Sequence, residues 1–107
     1  MKRSVSAIAI SLMLGGASVA FGQNSVESLF KAKCAACHGP DGGGKTLMGE
    51  KLKARDLRLP DIQKQSDVEL TQIITKGKEK MPAYDGKLTK EQISQVVGFI
   101  RELAKKH

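Results

Sequence analysis

The sequence lacks tryptophan and has only one tyrosine and three phenylalanines, so aromatic residues make up 4% of its 107 positions. The large side chains that usually fill a small core are nearly missing. It has two cysteines, too few for a disulfide-dense scaffold. Its length allows one small domain and excludes a multidomain enzyme. There is no dense Lys/Arg run, which argues against a nucleic-acid-binding surface. No convincing β alternation appears either. A domain this small, with so little bulk, needs a stabiliser such as a metal, a cofactor or a partner.

The amino terminus has the pattern of an export signal. Met1-Lys2-Arg3 is a short basic start, and Val5 to Val19 is an uncharged run of apolar and small residues. Ser18-Val19-Ala20 and Ala20-Phe21-Gly22 both have the small–x–small form of a cleavage site. The clearly apolar part is short for a membrane span. Residues 1–22 are therefore expected to be a removed secretory signal peptide, leaving one domain over residues 23–107 in the periplasm, with no membrane anchor after cleavage. Removing Lys2 and Arg3 from the 18 basic residues leaves 16 against 11 acidic ones, an excess of +5 that would steer an acidic partner.

Three capping patterns organise the rest. Asn24 with Glu27 predicts the start of a short helix running through Leu29 and Phe30 towards Cys34. Residues 39–49 hold five glycines and one proline and are expected to form a loop. Residues 50–63 are only weakly periodic. Ser66 with Glu69 opens a helix carrying Leu70, Ile73 and Ile74 on one face and ending at Gly77. Residues 82–87 read as a loop. Thr89 with Gln92 caps a last helix, in which Ile93, Val96, Val97, Ile100, Leu103 and Ala104 keep helical spacing. The expectation is an all-α fold of three to four short helices. The long loops between them make sense if they wrap something.

The strongest signal is Cys34-Ala35-Ala36-Cys37-His38. Cys-x-x-Cys-His is the attachment pattern for c-type haem. On a helical turn, Cys34 and Cys37 reach one face, where each sulfur can form a thioether to a haem vinyl group. His38 then points its imidazole at the iron over the same face, and Ala35 and Ala36 leave room for the porphyrin edge. Three rivals fit less well. A structural zinc site needs four ligands, and the only other histidine is the terminal His107. A thioredoxin-like Cys-x-x-Cys belongs in a βαβ unit. A plain disulfide leaves His38 without a role.

Haem iron with His and Met axial ligands is an electron-transfer arrangement, in which the thioether raises the reduction potential. Of the four methionines, Met1 and Met13 leave with the leader, so Met48 and Met81 remain. Met81 is the expected sixth ligand. It lies in a loop between two helices, 43 residues after His38, with Pro82 stiffening the chain beyond it. Met48 follows His38 by ten residues in the Gly-rich stretch and is expected to pack or lie at the surface.

These residues resemble the small bacterial class I c-type cytochromes, which are monohaem soluble electron carriers. The marks are the short helix running into Cys34–His38, the Met81-Pro82 loop and the C-terminal amphipathic helix. The resemblance implies an all-α cytochrome c-like fold around one covalent haem. Cys34, Cys37, His38 and Met81 would bind the cofactor, and His38 and Met81 would hold the iron. It also implies crossing terminal helices, with Leu29 or Phe30 meeting Phe99 and Gly98 permitting the approach. Pro40 would supply the carbonyl for the second ring nitrogen of His38. From chemistry alone, Tyr84 is a candidate for packing on the haem or bonding a propionate, or equally for the rim, while Arg55 and Lys45 are expected to be solvated basic side chains in preference to propionate partners. A monomer is expected, and Lys76, Lys78 and Lys80 would form a docking side for redox partners. The competing classes are a haem enzyme or small-ligand binder, which needs an open sixth position, and a non-haem disulfide protein.

Overall fold

A computed structural model describes residues 23–107 of the chain. The expected leader, residues 1–22, lies outside them. The described residues form α1 (Gln23–Lys33), α2 (Ala35–His38), α3 (Leu47–Leu52), α4 (Pro60–Gln63), α5 (Asp67–Lys76) and α6 (Lys90–Lys105). There are thus six helices rather than three or four, two of them single four-residue turns. Among the described residues there is no strand, only the isolated bridges Lys78–Met81 and Asp85–Leu88.

The two long helices after residue 66 begin where their capping patterns place them. The Ser66 hydroxyl accepts from Glu69 N at 3.0 Å, and Glu69 Oε1 accepts from Ser66 N at 2.8 Å. Thr89 and Gln92 repeat the exchange at 3.0 and 2.9 Å. Each cap satisfies amides that the first helical turn leaves unpaired, and contributes about 1 kcal/mol. Gly77, at φ 77°, ends α5. The first pattern behaves differently. Gln23, the first described residue, is already helical, so Asn24 lies within α1 rather than ahead of it. Glu27 instead pairs with Lys31 one turn later, at 3.3 Å.

The Gly-rich stretch is shorter than expected. Thr46 accepts from Gly49 N at 2.8 Å and starts α3, so Met48 and Gly49 are helical. In the weakly periodic region, Pro60 opens α4 at its first turn, where a missing N–H costs nothing.

At the core, α6 packs against both α1 and α5, while α2 packs against α1 and α3. From α6, Ile93, Val96, Val97, Phe99, Ile100 and Leu103 are buried. Phe30 of α1 is fully buried and its ring lies 5.1 Å from that of Phe99, tilted by 50°. The predicted helix crossing is present, but Gly98 does not serve it. Gly98 is exposed, and a Cβ added there meets nothing within 4 Å. Leu70 and Ile74 of α5 join the buried set, together with Val26 of α1, Ile62 of α4, and Leu57 and Leu88 from the connections. Arg101 ties residues 63–67 to α6 by donating to Gln63 O at 3.1 Å, Gln65 O at 2.7 Å and Asp67 Oδ1 at 2.8 Å.

Candidate functional site

Cys34 N donates to Phe30 O at 2.8 Å, and His38 N donates to Cys34 O at 3.0 Å. The motif therefore sits on a helical path that leaves α1 and continues as α2. Cys34 and Cys37 are both unpaired thiols, so the disulfide alternative is not realised. Burial, then the neighbouring Cys37, pushes the Cys34 thiol up to about 11. Among the described residues, no group of three or more His, Cys, Asp or Glu side chains is placed to hold a metal ion, which removes the zinc reading there.

His38 Nδ1 lies 3.0 Å from Arg55 O. A carbonyl only accepts, so Nδ1 carries the proton and Nε2 keeps its lone pair for a metal. Burial lowers the His38 pKa, while the bond to Arg55 opposes that shift, so the ring is neutral near pH 7. The expected partner, Pro40, is replaced by Arg55 because the glycine turn carries residues 54–57 back alongside the motif. Gly44 N donates to His38 O at 2.7 Å, and Leu57 N donates to Gly42 O at 2.8 Å. Gly44, at φ +75°, permits the approach: a Cβ there would lie 2.9 Å from Ala54 O and 3.2 Å from Arg55 O.

Thr46 holds the other end of the motif. Its hydroxyl proton is shared between Ala36 O at 2.7 Å and Cys37 O at 3.0 Å, while its oxygen caps α3. Sequence reasoning missed Thr46 because its N3 residue is Gly49, not Glu or Gln.

Beside these groups lies a largely apolar cavity of about 680 Å³, within the range of cofactor sites. Cys34, Cys37 and His38 line it, and so does Met81 from the loop after α5. Met81 is half-buried against the core. Its loop is closed by reciprocal bonds, Lys78 N to Met81 O at 3.1 Å and Met81 N to Lys78 O at 2.9 Å. Met48 also reaches the cavity but remains 48% exposed. Ile73, only partly buried, lines it too. Tyr84 lines the wall and donates its hydroxyl to Lys33 O at 2.8 Å. Arg55 lines the mouth and pairs with Asp61, whereas Lys45 stands outside. Of the three expected docking lysines, Lys78 and Lys80 border the cavity and Lys76 does not. Lys33 and Lys53, not foreseen, join them.

A family model described as cytochrome c oxidase, cbb3-type, subunit III matches residues 22–100. Cytochrome c6 of Petalonia fascia is 36% identical over 77 residues, covering 72% of this chain and 87% of its own length. Cytochrome c6 of Thermosynechococcus vestitus is 35% identical over 105 residues, covering 96% of this chain and 91% of its own. The solved KustC0563 c-type cytochrome superposes with a TM-score of 0.66 at 34% identity, covering 72% of this chain and 94% of that one. The chain belongs to the class I c-type cytochromes. As a member, this cytochrome is an electron carrier and not an enzyme, and it carries one covalently attached haem c with iron. The donor set fits that group: two free thiols on one helical path, an imidazole with Nε2 available, and a thioether on the same apolar cavity. No helix of the described residues is long and apolar enough to cross a membrane.

Proposed function

We propose that Cys34 and Cys37 attach the haem by thioethers, that His38 Nε2 and Met81 Sδ are its axial ligands, and that the cytochrome carries electrons between redox proteins in the periplasm. The observation behind this reading is the one cavity that all four side chains line. When bound, the haem supplies a ferric/ferrous couple that takes up and releases one electron. The protein's own groups set the conditions. Arg55 O fixes the His38 tautomer and raises the basicity of the ring. Thr46 holds the α2 carbonyls, so the sulfurs and the imidazole keep their spacing. The buried faces of Leu70, Ile74, Val96 and Ile100 exclude water, and a Met ligand with low polarity favours the reduced state.

Filled coordination leaves no position for substrate, which separates a carrier from a haem enzyme. Lys33, Lys53, Arg55, Lys78 and Lys80 border the cavity against one acidic residue, Glu79. That field attracts acidic redox partners and speeds their encounter. The export signature of residues 1–22 supports a periplasmic location.

Voltammetry and carbon monoxide titration of the haem-loaded protein test the function. A carrier gives reversible one-electron waves and a ferrous form that resists CO. A ferrous form that binds CO on mixing would instead show an open sixth position and a ligand-binding role.

A further inference from the structure

The 77–88 segment carries Met81, and its backbone bonds are almost all local. Gly77 N returns to Ile73 O at 2.8 Å, Tyr84 N to Ile74 O at 3.0 Å and Asp85 N to Thr75 O at 3.1 Å. Lys78 and Met81 bond to each other, with Glu79 in a left-handed conformation at φ 55°. The bonds to Ile73, Ile74 and Thr75 anchor the segment to the end of α5, and the Lys78–Met81 pair closes it on itself. None reaches the helices that carry the cysteines.

One bond crosses. Among the described residues, the Tyr84 hydroxyl, donating to Lys33 O at 2.8 Å, is the sole hydrogen bond from this segment to α1 or α2. Its ends are separated by 51 positions in the chain. Lys33 immediately precedes Cys34, and Tyr84 follows Met81 by three residues. Lys33, Cys34, Met81 and Tyr84 all line the one cavity. The acceptor is also one that needs a donor. Lys33 is the last residue of α1, where carbonyls have no intrahelical partner.

We infer that Tyr84 is a positioning residue: its hydroxyl latches the Met81 segment onto the helix end that carries Cys34 and holds the thioether against the iron. The inference rests on Met81 being the axial ligand. Burial raises the Tyr84 pKa above its ordinary value, so the phenol keeps its proton and remains a donor at neutral and mildly alkaline pH. The ring packs against the core, so loss of the hydroxyl alone frees the segment without emptying the site. Lys87 Nζ sits 5.8 Å from the ring centroid, so truncating that side chain changes the surroundings of the ring while leaving the hydroxyl in place, which provides a control.

The test uses the haem-loaded ferric protein and free imidazole, which can bind iron only after the thioether leaves. Tyr84→Phe keeps the ring and deletes the donor. A net hydrogen bond of ordinary strength corresponds to an opening equilibrium raised about 2- to 10-fold. Tyr84→Phe is therefore expected to take up imidazole about 2- to 10-fold more readily, while Lys87→Ala matches the parent. Near-infrared spectra of all three proteins separate the two levels of the argument. A thioether-to-iron band in the parent with unchanged imidazole uptake in Tyr84→Phe overturns the latch and leaves Met81 as ligand. No such band in the parent overturns the ligation and the latch together. An equal gain in Lys87→Ala also overturns the latch, because ring packing alone would then set the opening.

Discussion

Two helical glycines give predictions of opposite sign. At Gly49, an added Cβ would be driven into Cys37 O, with Gly44 O at 2.8 Å and Thr46 Oγ1 at 2.9 Å. Two of these are backbone atoms and the third is a hydroxyl committed to three hydrogen bonds, so none can swing aside like a flexible side chain. In Gly49→Ala, α3 must back away from α2. Overpacking of this kind costs about 1–3 kcal/mol. Losing the Thr46 bonds to α2 adds about 0.5–1.5 kcal/mol. Against this, alanine improves helix propensity by about 1 kcal/mol. The clash wins, and the net loss is about 1–3 kcal/mol. In a domain of this size each 1 kcal/mol shifts Tm by about 4–8 °C, so the melting point falls by roughly 5–20 °C. At Gly98 nothing lies within 4 Å of an added Cβ and the residue is exposed, so only propensity acts. Gly98→Ala should gain about 1 kcal/mol and raise Tm by about 4–8 °C. Thermal melts of the three haem-loaded proteins, followed by far-ultraviolet circular dichroism, decide the matter. A Gly49→Ala protein as stable as the parent would refute the close packing of α3 on the motif, and a destabilised Gly98→Ala would refute the exposure of Gly98.

Thr46→Val removes the α3 cap and both carbonyl contacts to α2, and should lower stability by about 1–2 kcal/mol in urea unfolding. Gly44→Ala strains a positive φ and presses on Ala54 O and Arg55 O, so it should disturb the carbonyl that orients His38. Hyperfine-shifted proton NMR of the ferric protein, which reads the imidazole orientation, checks this. The Asp56 carboxyl is held below its ordinary value of 3.8, first by its side-chain hydrogen bond to Arg58. A depressed carboxylate contributes stability that is present above the unfolded value and is lost as pH falls through the folded one. Asp56→Asn should therefore be less stable than the parent at pH 7. Denaturant midpoints of the two proteins should converge as pH falls below about 3.8.

Much of this was legible in the residues, for reasons that differ by site. Ser66–Glu69 and Thr89–Gln92 carry both halves of a reciprocal cap, and the α6 periodicity spans about three turns, so both helices were placed correctly. Asn24–Glu27 has the same spacing, yet Gln23, the first described residue, is already helical, so Asn24 stands within α1. Thr46 is half a capping box with glycine at the position that normally answers it. Arg55 acts on His38 through its carbonyl, and a carbonyl leaves no mark on residue type. Gly98 was given a packing role by resemblance, while the approach of α1 and α6 is made by the two phenylalanine rings. Cys34, Cys37, His38 and Met81 converge on one cavity because the motif fixes the first three and a loop between two capped helices delivers the fourth. The scarcity of aromatic side chains has a counterpart in that cavity, whose 680 Å³ is the bulk the core does not supply.

The near-infrared absorption spectrum of the ferric, haem-loaded protein, recorded beside that of Met81→Ala, tests the central claim most directly. Thioether ligation by Met81 predicts a charge-transfer band in the parent that is absent from the variant, together with a lower reduction potential in the variant. A band that survives in Met81→Ala, or a parent spectrum of high-spin iron, would contradict the account.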